Sequence, residues 1–255
     1  MKNIKNGLAH IFSRPVFQGT SEGLLNLSLK ILNIGEGHTV ETSGEKVVFD
    51  LLRKKMKGAE VIVFDVGAHT GEWYSLFKKN YLGEANVYCF EPSIDSYNRL
   101  MEMKDTRCHP ENIALGESIG RSRLISNGLG ASTAHIINQS ESDAHGSENV
   151  EVTTLDRYCS EHGIKHIDLL KIDVEGYELK VLAGASKMIS NGDIDLIQFE
   201  FGAESGEKYS MKEFFDLLGG RYDICRILKH GYYPLKKYRH YYEIMTVTNF
   251  IAIKR

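Results

Sequence analysis

The stretch VIVFDVGAHTGEWYSLF (61–77) decides how the chain is read. An apolar, β-branched run ends on Asp65, two glycines bracket Ala68-His69-Thr70, and an aromatic-rich helix follows. Such a run suits a strand buried on both faces of a parallel sheet. Glycine lets a backbone bend sharply or come into contact with another group. Gly67 and Gly71 therefore mark a strand-to-helix turn against which something lies. In an open α/β sheet, ligands sit beyond the carboxyl ends of the strands, and a helix N-terminus offers unpaired N–H groups. GAHTG matches neither GxGxxG nor GxxxxGK[ST], so the phosphate-cradling motifs do not apply.

Outward from this turn the rhythm is strand and helix in alternation. NVYCFEP (86–92) reads as a strand, SIDSYNRLMEM as a helix with Ser93 as N-cap, and TRCHPENIALG (106–116) carries a third, weaker strand. Residues 117–150 interrupt the pattern: RSRLIS and ENVEVTTL (148–155) predict a strand pair around a tract rich in Gly, Ser and Asn. HIDLLKIDV (166–174), DIDLIQFEFG (193–202), YDICRIL (222–228) and MTVTNFIAIKR (245–255) read as strands. LDRYCSEHG, GYELKVLAGASKMIS and SMKEFFDLLGG (Ser210 as N-cap) read as helices. Single helices between strands imply parallel crossovers. No helix separates the last two strands, so the final one is expected to be antiparallel. The expected fold is α/β, a Rossmann-like doubly wound seven-stranded sheet with the last strand antiparallel, over residues 58–255. An N-terminal helical extension is expected over 1–57, where SEGLLNLSLKIL and EKVVFDLLRKKMK have helical apolar spacing.

A chain of 255 residues with 42% hydrophobic side chains supports a substantial core. Its net charge of −3 gives no global case for a nucleic-acid binder. Cys89, Cys108, Cys159 and Cys225 lack metal or CxxC spacing, which predicts reduced, buried thiols and a cytoplasmic setting. No apolar run approaches the roughly 18 residues of a membrane span. The N-terminal MKNIKNGLAHIFSRPVF leaves at most a peripheral membrane contact.

Asp65, at the tip of the first strand, would repel a pyrophosphate and suits a cationic ligand. Glu91, about twenty residues past the turn, stands where such folds hydrogen-bond an adenosine ribose. Together they point to a cationic adenosine ligand, S-adenosylmethionine. Its expected contacts are Asp65, Gly67, Ala68, His69, Thr70, Gly71, Glu91, Pro92 and Ser93, with Asn112 and Ala114 at the end of the third strand near the adenine. In LLKIDVEG, alternation puts Lys171, Asp173 and Glu175 on one side. A charged pair in a central strand is costly unless it pairs or binds something. Asp173 is the candidate base or substrate orienter; a structural Lys171–Asp173 ion pair is the plainer alternative. Glu178 opens the next helix, where the dipole favours an acid anyway. Glu200 ends the fifth strand at the cleft rim, and with Asp173 and Glu175 it could bind a divalent cation. His69 and His135 are candidate loop bases. RILKHGYYPLKKYRHYYEI (226–244) mixes basic side chains with tyrosines, expected as a loop on the cleft face that meets a sugar-bearing or anionic acceptor.

DVGAHTGEW, FEPS, NIALGE, LDRYC, LLKIDVEGYELKVLAGA and IQFEFG, in that order, resemble the FkbM-type methyltransferases. The similarity runs from the Gly44–Glu45 pair to about residue 202, and KIDVEGYE is its most specific part. The resemblance implies the Rossmann-like fold, S-adenosylmethionine as cofactor, and O-methylation of a hydroxyl on a sugar, glycan or natural product. By family position, Ser132 and Thr133 line the acceptor or cofactor pocket. His69 departs from the pattern, which usually has Asn there. A nucleic-acid or protein methyltransferase, or a cofactor-binding module without transfer, are the alternatives.

Overall fold

Strand β1 (Val61–Val66) runs through the middle of the sheet, and its alternation dictates both cores. Val61 and Val63 point to one face, Phe64 and Val66 to the other, and all four are buried. The computed structural model describes residues 12–35, 43–56, 59–125, 135–137, 147–202, 209–244 and 246–255, with backbone only for 135–137. Ser132 and Thr133 lie outside the described residues.

β1 pairs in parallel with β2 (Ala85–Phe90), which pairs in parallel with β3 (Cys108–Glu111). On its other side β1 pairs in parallel with β8 (Ile167–Ile172), and β8 with β9 (Ile194–Phe201). Beyond β9 lie β12 (Thr248–Lys254), β10 (Tyr222–Leu228) and β11 (Gly231–Pro234), each antiparallel to its neighbour. The spatial order is β11-β10-β12-β9-β8-β1-β2-β3. The late reversed strand is therefore inserted between β9 and β10, and the doubly wound architecture holds. Among the described residues the sheet has eight strands, one more than expected: Gly231–Pro234, expected within a loop, closes a hairpin on β10 through Lys229–His230.

A smaller sheet of order β4-β7-β5-β6 fills the interruption. β5 (Gly120–Ile125) and β7 (Ser147–Thr153) are the expected antiparallel pair, joined by β6 (His135–Ile137) and β4 (Ala114–Leu115). TRCHPENIALG thus supplies strands to two sheets, because Glu111 ends its pairing with β2 before Ala114 begins pairing with β7.

Helix α1 (Gln18–Ile31) buries no residue, whereas α2 (Glu45–Met56) sinks Val48, Phe49 and Leu52 into the core on the Val61/Val63 face. Phe49 meets Trp73 and Phe77 of α3 (Glu72–Asn80) edge-on, with ring centroids 5.5 and 5.6 Å apart. α4 (Ile94–Glu102) adds Leu100 to this face. The opposite face is covered by α5 (Leu155–His162), α6 (Glu178–Ala183), α7 (Ser186–Asn191) and α8 (Met211–Leu218). α5 starts where the Thr154 side chain accepts from Arg157 N–H, and stops at left-handed Gly163. α8 starts with a capping box between Ser210 and Glu213. GYELKVLAGASKMIS, expected as one helix, is two, broken at Gly184. A Cβ there would lie 2.0 Å from the Gly116 carbonyl oxygen, so the break seats the helix pair on the β4 segment.

Candidate active site

The carboxyl ends of β1, β2, β8 and β9 converge on the turn 67–71. Gly67 (φ +81°) is fixed by backbone crowding: a Cβ there would sit 1.8 Å from the Asp173 carbonyl oxygen. Gly71 (φ +86°) is the left-handed N-cap of α3, and a Cβ there would meet Met103 at 2.3 Å. Both glycines thus have packing reasons within the chain. His69 shares the unusual backbone (φ +48°). Its N–H donates to Glu91 Oε2 at 2.9 Å. Its Nδ1 lies 3.4 Å from Glu72 Oε2, and its Nε2 is buried without a hydrogen-bond partner. Thr70 Oγ1 donates to the other Glu72 oxygen.

Glu91 is buried, and its two oxygens accept from His69 N–H and Ser93 N–H, both at 2.9 Å. The carboxylate therefore ties the glycine turn to the end of β2. Burial pushes its pKa up and the two N–H donors pull it down, with a net rise. Asn112 holds the same corner: its Nδ2 donates to the carbonyls of Glu91 and Pro92 at 3.0 and 2.9 Å. Asn112 lies just past β3, and Ala114 is not at the end of that strand as expected. It belongs to β4 and is buried with Leu124, Val150 and Val152 in the core of the small sheet. Ala68 is likewise buried, among the residues of the α2–α3 face.

Asp65 and Lys171 are register partners on adjacent strands. Lys171 Nζ is 2.9 Å from Asp65 Oδ1 and 3.3 Å from Asp173 Oδ2, and it donates to the Gly67 carbonyl at 3.4 Å. Asp65 is fully enclosed, Lys171 is buried beneath the Trp73 ring at 5.8 Å, and Asp173 is 43% exposed at the mouth. Burial would depress the Lys171 pKa, but Asp65 and Asp173 outweigh it and hold the ammonium charged. Burial raises Asp65, against the pull of Lys171. Asp65 Oδ2 has no hydrogen-bond partner, nor has the buried Oε1 of Gln198, the register partner of Lys171 on β9.

More acids crowd the rim. The DVEG turn is sharp, with left-handed Glu175 (φ +53°) and Gly176 (φ +92°). Buried Glu178 clasps it, accepting from Val174 N–H at 3.2 Å and Gly176 N–H at 3.0 Å. Burial raises Glu178 to about 7 despite these donors. Burial, then Asp173, Glu175 and Glu178, raise Glu200 to about 9. In the empty cleft this favours the protonated form of Glu200. Among the described residues, Asp173, Glu175 and Glu200 do not form a group of three with ligand-atom spacing for a metal. The expectation of a divalent cation on Asp173 and Glu200 therefore has no support here.

One participant escaped the sequence reading. Glu45 opens α2 as a half-buried carboxyl hydrogen-bonded to Ser43 Oγ at 3.1 Å, close enough for Lys171, Asp173 and Asp65 to act on it. Burial raises its pKa and Lys171 opposes the rise. The turn before it is pinned by Gly44 (φ +79°), where a Cβ would come 2.6 Å from the Leu228 carbonyl oxygen. The signal was present in the Gly–Glu pair ahead of an amphipathic helix. His135 lies on β6, with its side chain outside the described structure.

Sheet order, glycine turn and acid-lined rim define a Rossmann-like α/β protein with a candidate cofactor cleft at its strand C-termini. The chain belongs to the Methyltransferase FkbM domain family, whose pattern matches residues 65–232. It is similar to the hexuronic acid methyltransferase AglP of Haloferax volcanii, 25% identical over 164 residues, covering 63% of this chain and 64% of that protein. It is also similar to the 2-O-methyltransferase NoeI of Sinorhizobium fredii, 29% identical over 188 residues, covering 66% of this chain and 75% of that protein. Among solved structures, a methyltransferase FkbM from Methylobacillus flagellatus aligns with 76% of this chain and 43% of its own, at 17% identity and a TM-score of 0.47. No helix among the described residues is long and apolar enough to cross a membrane.

Proposed function

We propose that this chain is an S-adenosylmethionine-dependent O-methyltransferase acting on a hydroxyl of a sugar or glycan. The observation that carries the reading is the charge balance at the cleft: the carboxyls of Glu45, Asp65 and Asp173 act on one buried ammonium, Lys171, and Glu175, Glu178 and Glu200 line the same rim. Three carboxyls around one ammonium, with the orphaned Gln198 acceptor beside them, fit a donor carrying a sulfonium and an ammonium. It does not fit a pyrophosphate. The turn 67–71, with Glu91, Pro92, Ser93 and Asn112, would hold the adenosine end. Enclosed Asp65 acts through Lys171 rather than by contact.

The donor, when bound, supplies an electrophilic methyl group. The remaining work falls to the residues of this chain. Asp173, the exposed member of the Lys171 cluster, would take the hydroxyl proton as the acceptor oxygen gains the methyl group and the donor's methyl–sulfur bond breaks to leave a neutral thioether. Lys171, 3.3 Å from its Oδ2, keeps that carboxylate oriented beforehand. Protonated Glu200 offers a hydrogen bond that positions the acceptor, and alignment of this kind supplies much of the rate. The sugar acceptor rests on the names of the two relatives, a hexuronic acid methyltransferase and a 2-O-methyltransferase. This chain spans about two thirds of the length of the first, so the acceptor is part of the proposal.

The test is transfer of labelled methyl from S-adenosylmethionine into fractionated cell extract, with Asp173→Asn alongside and donor binding measured separately. Label in a polysaccharide, glycolipid or nucleotide-sugar fraction, absent with the variant, is the expected result. Label in RNA or protein overturns the acceptor class, and donor binding without label in any fraction favours a binding module.

A further inference from the structure

At the opposite end of the strands, where β8 and β9 begin, three side chains converge that the methyl-transfer reading does not use. His166 Nε2 lies 3.5 Å from Asp168 Oδ1 and 3.6 Å from Asp195 Oδ2. The three ligand atoms lie within 4.8 Å of one another. We propose that His166, Asp168 and Asp195 form a binding site for a divalent first-row metal ion of the zinc type, which clasps the first turns of β8 and β9 together.

Two features argue for a bound cation rather than a plain ion-pair cluster. The first is spacing. A good hydrogen bond from a ring N–H to oxygen spans about 2.7–3.2 Å, and both contacts of His166 are longer. Bonds of about 2.0–2.2 Å from a tetrahedral zinc to nitrogen and oxygen put neighbouring ligand atoms about 3.3–3.6 Å apart. The observed 3.5 and 3.6 Å fall in that interval. The second is an orphan. Asp168 is 3% exposed, and its Oδ2 is satisfied by the Ile62 N–H at 2.7 Å. Its Oδ1, aimed at His166, is buried with no hydrogen-bond partner. The long contact from His166 leaves this oxygen without a good donor, and a metal ion would serve it together with Asp195 Oδ2.

The surroundings are compatible. Lys254 Nζ engages Asp195 through Oδ1 at 2.8 Å and leaves Oδ2 toward His166, while Lys55 stands 4.0 Å from that Oδ2. His166 is 42% exposed, so solvent can supply the entry path and the remaining ligand. One imidazole and two carboxylates form a mixed donor set that zinc and its neighbours accept.

The experiment is titration of the metal-free full chain with Zn²⁺ by calorimetry and with Co²⁺ by visible absorption, on wild type, His166→Ala, Asp195→Asn and Glu200→Gln. One equivalent is expected to bind wild type and Glu200→Gln. Affinity should fall at least ~10–100-fold in His166→Ala and Asp195→Asn, the range that even outer-shell changes reach. Zn²⁺ should raise the melting temperature of wild type and not of His166→Ala; the half-exposed histidine can be removed without touching the core. No saturable uptake, equal uptake by His166→Ala, or uptake lost only in Glu200→Gln would each overturn the site.

Discussion

The ammonium of Lys171 sits 2.9 Å from the carboxylate of Asp65, on neighbouring positions of β8 and β1, with both groups shut off from water. An ion pair so placed is costly to break and less costly to replace. Removing one partner of a buried pair loses about 3–5 kcal/mol, because the survivor is left uncompensated. Lys171→Met is expected to lose that much in urea denaturation. The double variant Asp65→Asn/Lys171→Met should recover part of the loss, and additive losses would show that the two residues do not depend on each other.

Asp173 should separate chemistry from binding. Its side chain is 43% exposed, so Asp173→Asn should change stability by no more than about 1 kcal/mol. Loss of a general base should lower kcat by ~10²–10⁴-fold. Donor affinity by calorimetry should stay within a few-fold. A variant with unchanged kcat would move the base elsewhere, with Glu45 the next candidate.

The acid cluster predicts a pH dependence of definite sign. Glu178 and Glu200 have folded-state pKa values of about 7 and about 9, above the ordinary 4.5. Raised carboxyls stabilise the fold fully below the unfolded value and lose that contribution as pH rises through the folded one. The donor-free protein should therefore weaken progressively between pH 5 and pH 9. Glu200→Gln should flatten the decline, with a gain of about 1–3 kcal/mol at pH 9 after discounting for screening and coupling among the acids. Little difference is expected at pH 5. Thermal melts of both proteins across that range decide it; parallel curves would place the titration elsewhere.

Gly67→Ala should be far worse than its single methyl suggests. The new Cβ would lie 1.8 Å from a backbone oxygen of the DVEG turn, and φ of +81° is itself unfavourable for alanine. Soluble yield should collapse, or stability fall by more than about 3 kcal/mol in denaturant. Gly120→Ala, where a Cβ meets nothing within 4 Å, is the matched control.

Much of this was readable in the chain because strand burial writes itself locally. VIVFDV, NVYCF and DLLKI are predominantly apolar runs, and each forms an interior strand with its ends within a residue or two of expectation. β11 was missed because GYYP is short, edge-lying and embedded among cations, so period-2 burial is absent from it. Ala114 was misplaced because a chain that changes sheets between Glu111 and Ala114 leaves no mark stronger than two residues of turn. Lys171 and Asp173 drew notice as charges beside an apolar strand. The closer partner of Lys171 proved to be Asp65, since cross-strand register is a property of pairing and not of spacing along the chain. Glu45 went unnoticed as a site residue for the same reason: the charged groups that act on it, Asp65, Lys171 and Asp173, lie at least twenty residues away in sequence.

The placement of β12 between β9 and β10 bears on how the molecule comes off the ribosome. The hairpin β10–β11 is synthesised before the strand that must lie between it and everything earlier. Until β12 emerges, β9 presents a bare, strongly apolar edge, and the hairpin has no sheet to join. A nascent chain stalled short of Thr248 would hold a half-sheet with an open border, the kind of edge that recruits other chains. The final strand acts as a keystone, and sheet completion must wait for its arrival.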